Sequence, residues 1–240
     1  MQQGVGESNC KMSLIPGIRI PASKPATAAI IFVHGLGDSG EGWSWFPQLV
    51  QRSNLIKNHE EINFVFPHAP NMPITANGGY VMPGWFDIYE FGNVNAKQDI
   101  AGFLKSVNVL KSLIKEQTDK KIPAERIIIG GFSQGAAVAL ATASLIDIKL
   151  GGVIGLSGFC PIKSTIEKDF KPINFNTPVF QGHGTSDPII SFQWAQETSE
   201  FYKKLGFKDY TFKSYPGVAH SADERELADV QTFINKILNQ

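Results

Sequence analysis

The chain is 240 residues long, 42% hydrophobic and 18% charged, with 22 lysines plus arginines against 22 aspartates plus glutamates. That length suits one large α/β domain or two small ones, and the balanced charge gives no ground for expecting nucleic acid or an acidic membrane as a partner. No apolar run approaches the ~20 residues of a transmembrane segment, so at most a transient membrane-surface contact is expected. The N-terminal stretch has no apolar signal-peptide core, and neither a myristoylation start nor a prenylation box is present. Cys10 and Cys160 are the two cysteines, and with Cys10 in a tail no structural disulfide is expected. The expected location is cytoplasmic, with the nucleus as a further compartment.

In chain order, residues 1–13 are polar and glycine-containing and are expected to form a disordered tail before a single domain over 14–240. Cys10 there reads as an inert exposed thiol, with S-acylation as the alternative. Residues 18–20 are expected to form a short edge element. AAIIFV at 28–33 reads as a buried strand. It runs into His34-Gly35-Leu36-Gly37-Asp38-Ser39-Gly40, a loop whose backbone can approach a ligand closely. It is not a Walker A loop, because no Gly-Lys-Ser/Thr follows. Residues 43–55 read as a helix and 62–66 as a strand.

Residues 71–92 show no clear periodicity but carry Met72, Ile74, Tyr80, Val81, Met82, Trp85 and Phe86. Core filling is the default reading of these side chains, and an apolar wall for a substrate is the sharper alternative. The spacing of Ile100, Phe103, Leu104, Val107, Leu110, Leu113 and Ile114 predicts an amphipathic helix over 100–117. Further strands are expected at 152–158, 178–181 and 210–215, and helices at 192–205 and near the C-terminus. Ser221 with Glu224 reads as a capping box for that last helix. Residues 159–177 are too few for a folded cap domain. Strands alternating with helices at this spacing mean a mainly parallel sheet with helices on both faces, in the α/β class.

The stretch around which this order is arranged is RIIIGGFSQGAAVALA, residues 126–141. Three isoleucines make a buried strand, the alanine-rich run makes a helix, and Gly131-Phe132-Ser133-Gln134-Gly135 between them fits GxSxG. A bare GxSxG also arises as an ordinary tight turn. A strand before it and a helix after it are the context that favours a nucleophile elbow, in which the backbone N–H after the serine can face an oxyanion. Ser133, Asp187 and His220 each follow a predicted strand at its carboxyl end, where open α/β sheets place their functional groups. Their order, Ser then Asp then His, is that of an α/β-hydrolase triad.

The competing groups fit less well. His34 lies inside the glycine loop and reads as structural, His59 lies in a charged stretch, and His68 precedes the elbow. His183 is four residues from Asp187 and reads as a brace for its loop. Asp38, Asp87 and Asp99 come too early in the chain, and Asp169 and Asp209 lie away from strand ends. No His or Cys spacing suggests a metal site, and no cofactor is expected.

Taken together, His34–Gly40, Met82-Pro83-Gly84-Trp85-Phe86-Asp87, Gly130–Gly135, His183-Gly184 before Asp187-Pro188, and Gly217-Val218-Ala219-His220-Ser221 resemble the acyl-protein thioesterases of the lysophospholipase/carboxylesterase family. The resemblance spans about residues 18–238. It implies catalytic Ser133, Asp187 and His220, and an oxyanion hole from the backbone N–H groups of Leu36 and Gln134. It implies hydrolysis of palmitoyl thioesters on S-acylated proteins, with some activity on lysophospholipids and small esters. Ala136 stands where the family usually has a second glycine, and Gly84 where it often has serine.

A general carboxylesterase or lysophospholipase is the nearest alternative, since one triad serves all three reactions. A non-catalytic receptor on the same scaffold is the alternative from another class, against which stands the complete triad. With no cap domain, an acyl pocket has to come from loops near the elbow. Ile74, Trp85, Phe159 and Ile189 are its candidates beside Leu36, with Gly84 expected to leave room next to Trp85. A monomer or a weak homodimer is expected.

Overall fold

The computed structural model describes residues 14–93 and 96–239. The tail expected over residues 1–13, and Cys10 with it, lies outside the described residues. The strands are β1 (Gly17–Ile20), β2 (Ala28–Val33), β3 (Ile62–Pro67), β4 (Asn71–Ile74), β5 (Tyr80–Pro83), β6 (Ile127–Phe132), β7 (Gly152–Leu156), β8 (Val179–Gly184) and β9 (Tyr210–Tyr215). The helices are α1 (Phe46–Ser53), α2 (Ile100–Asp119), α3 (Gln134–Leu145), α4 (Lys163–Asp169), α5 (Phe192–Leu205) and α6 (Glu224–Leu238).

Seven strands form one sheet in the order β1-β3-β2-β6-β7-β8-β9. All neighbours pair in parallel except β1, which lies antiparallel on β3 at the edge. β2 and β6 are apolar throughout because both of their faces are covered. Ala29, Ile31, Val33, Ile127 and Ile129 pack on one side with residues of α2 and α3. Ala28, Ile30, Phe32 and Ile128 pack on the other with α1 and α6. The alternation follows from the two-residue period of a strand. The crossing from β2 to β3 in one direction and to β6 in the other places the carboxyl ends of β2 and β6 side by side, where such sheets hold their ligands.

Three local expectations are corrected. The helix expected over 43–55 is shorter: a 3₁₀ turn at Gly40–Trp43 precedes α1, whose start is set by Pro47 in its first turn. The segment 71–92 is not without regular structure. β4 and β5 pair antiparallel as a separate two-stranded sheet closed by Gly78 and Gly79, both at positive φ. The capping residue of α6 is Asp223, not Ser221. The Asp223 carboxylate accepts the Glu226 N–H at 2.9 Å, whereas the Ser221 N–H donates into its own turn, to the Ala219 carbonyl.

Glu226 itself points inward. It is fully buried, and neither carboxylate oxygen has a hydrogen-bond partner. Burial pushes its pKa up to about 8, with Asp223 and Asp229 acting in the same direction. The folded state therefore holds a proton that the unfolded chain releases at an ordinary glutamate pKa, and stability falls as pH rises from about 4.5 to about 8. The unfolding free energy of the wild type, read from urea titrations, is expected to drop between pH 5.5 and 8.5 by an amount on the order of a few kcal/mol. Glu226→Gln should flatten that drop, and parallel profiles for the two proteins would exclude Glu226 as its source.

Candidate active site

The site is built on the turn between β6 and α3. Ser133 has φ 55° and ψ −118°, a left-handed conformation that serine rarely adopts. Two glycines make it possible. A Cβ on Gly135 would run into the carbonyls of Val33 and His34, and one on Gly131 into the backbone of Gly135. The Ser133 N–H donates to the Leu156 carbonyl at 2.9 Å, which ties the turn to the end of β7. Ser133 is 8% exposed, so its hydroxyl lies at the floor of a depression.

His220 and Asp187 meet that hydroxyl. Ser133 Oγ lies 3.0 Å from His220 Nε2, and His220 Nδ1 lies 2.7 Å from Asp187 Oδ2. The carboxylate fixes the tautomer: Nδ1–H donates to Asp187, which leaves the Nε2 lone pair for the serine O–H. The Phe132 ring lies against the imidazole, centroids 4.8 Å apart. Asp187 Oδ1 accepts the N–H groups of Ile189 and Ile190 at 2.8 and 2.9 Å. Burial alone would raise the Asp187 pKa, but the bonds from His220, Ile190 and Ile189 outweigh it and hold the carboxyl below its ordinary value. His183 Nε2–H donates to the Ile190 carbonyl at 2.8 Å and stands 3.4 Å from Asp187 Oδ2. Burial lowers the His183 pKa, so the ring stays neutral and adds no competing cation. Of the five histidines, His220 is the one bonded to Ser133.

Leu36, Ser133 and Gln134 all border the same cavity. Gln134 begins α3, where free N–H groups and the helix dipole favour negative charge. A Cβ on Gly35 would lie 3.2 Å from that of Ser133, so the glycine loop passes close over the serine. His34 is buried with a lowered pKa. Its Nε2 accepts the Ala69 N–H at 3.1 Å and its Nδ1–H donates to the Gly35 carbonyl at 2.7 Å.

From Ser133 and His220 extends a cavity of about 260 Å³ whose walls include Phe86, Ile88, Phe159, Ile189, Ile190 and Trp194. Two of the four pocket candidates, Phe159 and Ile189, border it; Ile189 is 53% exposed. Ile74 and Trp85 are corrected: neither is part of its lining. Ile74 is fully buried, and Trp85, 3% exposed, packs among core residues with its indole N–H donating to the His34 carbonyl at 2.8 Å. Nor does Gly84 leave room, since a Cβ there would lie 3.2–3.3 Å from Ile74, Leu36 and Met72 side chains. Trp194 was not anticipated. Its place in the first turn of α5, just after the Asp187 loop, is the signal that could have found it. Behind Phe159, Cys160 is buried, its thiol pushed up to about 12 by burial. Among the described residues, no three His, Cys, Asp or Glu side chains are grouped to hold a metal ion, and no helix is long and apolar enough to cross a membrane.

A buried acid, an oriented imidazole and a hydroxyl in one hydrogen-bonded line can deprotonate the hydroxyl as it attacks a carbonyl. The sequence profile of the phospholipase/carboxylesterase family matches residues 18–238, nearly the whole chain. The chain belongs to that family. It is 66% identical to acyl-protein thioesterase 1 of Debaryomyces hansenii over 95% of this chain and 99% of that protein. It is 57% identical to acyl-protein thioesterase 1 of Candida albicans, covering 94% of this chain and 99% of that one. Among solved structures, Arabidopsis thaliana SOBER1 is similar at TM-score 0.82 and 33% identity, covering 88% of this chain and 99% of that chain. Zea mays acyl-protein thioesterase 2 is similar at TM-score 0.80 and 26% identity, covering 94% of this chain and 100% of that chain. This member of the phospholipase/carboxylesterase family is an enzyme of the serine-esterase type. Its Ala136 methyl occupies the space beside Gly158, where a second Cβ would come within 2.6 Å.

With Trp85 in the core, Trp85→Ala is expected to cost about 3–5 kcal/mol of stability. Turnover of short and long acyl substrates should fall together. Thermal melting and a two-substrate assay check this, and a selective loss on long chains with an unchanged melting temperature would return Trp85 to the pocket.

Proposed function

We propose that the chain removes fatty acyl groups, palmitoyl among them, from S-acylated cysteines of proteins. Ser133 is the nucleophile, His220 the general base and acid, and Asp187 the group that orients and stabilises the imidazolium. The observation that carries this reading is the unbroken line Asp187–His220–Ser133 at the end of an apolar cavity. The names of its relatives, acyl-protein thioesterase 1 at 66% and 57% identity, favour a protein thioester over other acyl donors.

In the first half-reaction the Ser133 proton passes to His220 Nε2 as Oγ attacks the thioester carbonyl. The carbonyl π electrons move onto oxygen, which faces the N–H groups of Leu36 and Gln134. The C–S bond then breaks, and the imidazolium returns its proton to the departing cysteine sulfur. Water, deprotonated by His220, repeats the sequence on the acyl-serine and releases the fatty acid. Asp187, held acidic by His220 and two backbone N–H groups, stays ionised throughout and carries the imidazolium. A lysophospholipid ester fits the same mechanism, with glycerol oxygen in place of sulfur as the leaving atom.

Ser133→Ala and His220→Ala are each expected to lower kcat by several orders of magnitude, leaving about 10³–10⁴-fold over water, and the double variant should be little worse. Fluorophosphonate labelling of the folded wild type should modify Ser133, and absence of an adduct would refute a serine mechanism. Across a series of acyl peptides, four added methylenes at about 0.8 kcal/mol each should raise kcat/KM by up to roughly two orders of magnitude. A flat series, or a preference for lysophospholipid over palmitoyl peptide, would overturn the substrate assignment.

A further inference from the structure

A second buried hydrogen-bond network lies behind the triad and joins three segments distant in sequence. The Gln134 side chain, 1% exposed as a residue, spends both ends of its amide on the 85–86 backbone. Its Oε1 accepts the Trp85 N–H at 3.0 Å and its Nε2 donates to the Phe86 carbonyl at 2.9 Å. The Trp85 carbonyl accepts the Ser106 hydroxyl, and its indole N–H donates to the His34 carbonyl at 2.8 Å. The loop that follows His34 is fixed on both sides of Leu36. The Gly35 carbonyl accepts from His34 Nδ1, and the Gly37 N–H donates to the Pro83 carbonyl at 2.8 Å. Leu36 thus hangs on the strap 83–86, and the strap hangs on the Gln134 side chain.

We propose that the Gln134 side chain and the Trp85 indole are positioning groups that set the distance and angle between the two N–H donors of the oxyanion hole. The inference rests on the serine-hydrolase reading above. Those donors belong to different elements, Leu36 to the loop after β2 and Gln134 to the start of α3, and no direct bond between the two is needed to hold them in register. One residue supplies both a donor, through its backbone, and the tether to the other donor, through its side chain. Because the network is buried and the amide is bonded at both ends, it is stiff, and a stiff frame is what a preorganised oxyanion site requires.

The test uses the full chain and a short-chain p-nitrophenyl ester, so that the acyl cavity plays no part. Trp85→Phe keeps an aromatic ring in the core and removes the indole N–H with the rest of the second ring. Gln134→Met keeps the length and removes both amide bonds. Each is expected to lower kcat by about 10- to 100-fold with KM changed less than about twofold and the midpoint of the pH profile unmoved. A trifluoromethyl ketone, whose serine adduct carries an oxyanion, should lose affinity by the same factor as kcat, while the fatty acid product should bind as before. Unchanged kcat, or equal losses for ketone and product, would overturn the positioning role. If one variant fails to fold, the other decides. Ser106→Ala, which loosens the strap from its far side, is the reserve and should show a smaller loss of the same kind. A wild type that neither binds the ketone nor takes up fluorophosphonate at Ser133 would overturn the hydrolase reading instead.

Discussion

The left-handed turn at Ser133 is the constraint on which the rest depends. A serine at φ 55° is costly in isolation, on the order of 1–3 kcal/mol. It persists because α3 is pressed so closely on the end of β2 that only glycine fits at 135. That closeness requires the small residues on α3 and the central place of β6, with β2 on one side and β7 on the other. The strain at the turn and the packing of the sheet are therefore one feature. The chain cannot relax Ser133 without lifting a helix that is buried along its whole length.

Three histidines at the carboxyl end of the sheet share a ring but not a task. His34 and His183 are buried, lowered in pKa and bonded to backbone carbonyls, so each works as a neutral fixture. His220 is the one left partly exposed, held to a carboxylate on one side and a hydroxyl on the other. Burial separates structural from reactive imidazole here, by taking away the option of charge from the first two.

How much of this was legible in the sequence follows from what kind of signal each element sends. β2, α2, α5 and β9 carry strong periodicity or β-branched runs, and their expected and observed bounds agree within a residue or two, while β6 runs on from its three isoleucines to Phe132. The hairpin of β4 and β5 sends neither. Its strands are four residues each and contain Pro73 and Pro83, and half of their side chains are exposed. α4 was hidden for a similar reason, being seven residues and mostly polar. The positions of Ser133, Asp187 and His220 were readable because each sits in the turn or loop that follows a strand. Trp85 was not, since a tryptophan in an aperiodic segment reads the same whether it faces a cavity or the core. What settled it was an indole N–H with a single buried partner, the His34 carbonyl, which no pattern of residues announces.

Cys160 has a consequence of a different sort. On the proposed reaction a protein thiol is released at the mouth of the site with every turnover, and such thiols exchange with disulfides and react with oxidants as thiolates. Cys160 is buried and follows Phe159, a residue of the cavity wall, in the chain; with its thiol pushed up to about 12 it holds almost no thiolate at neutral pH. Its burial and its scarcity of thiolate both disfavour capture as a mixed disulfide with the released product and competition with that product for peroxide. Burial thus makes this cysteine a spectator to the redox chemistry of the molecules that pass beside it, and leaves the oxidation state of the product to be set elsewhere.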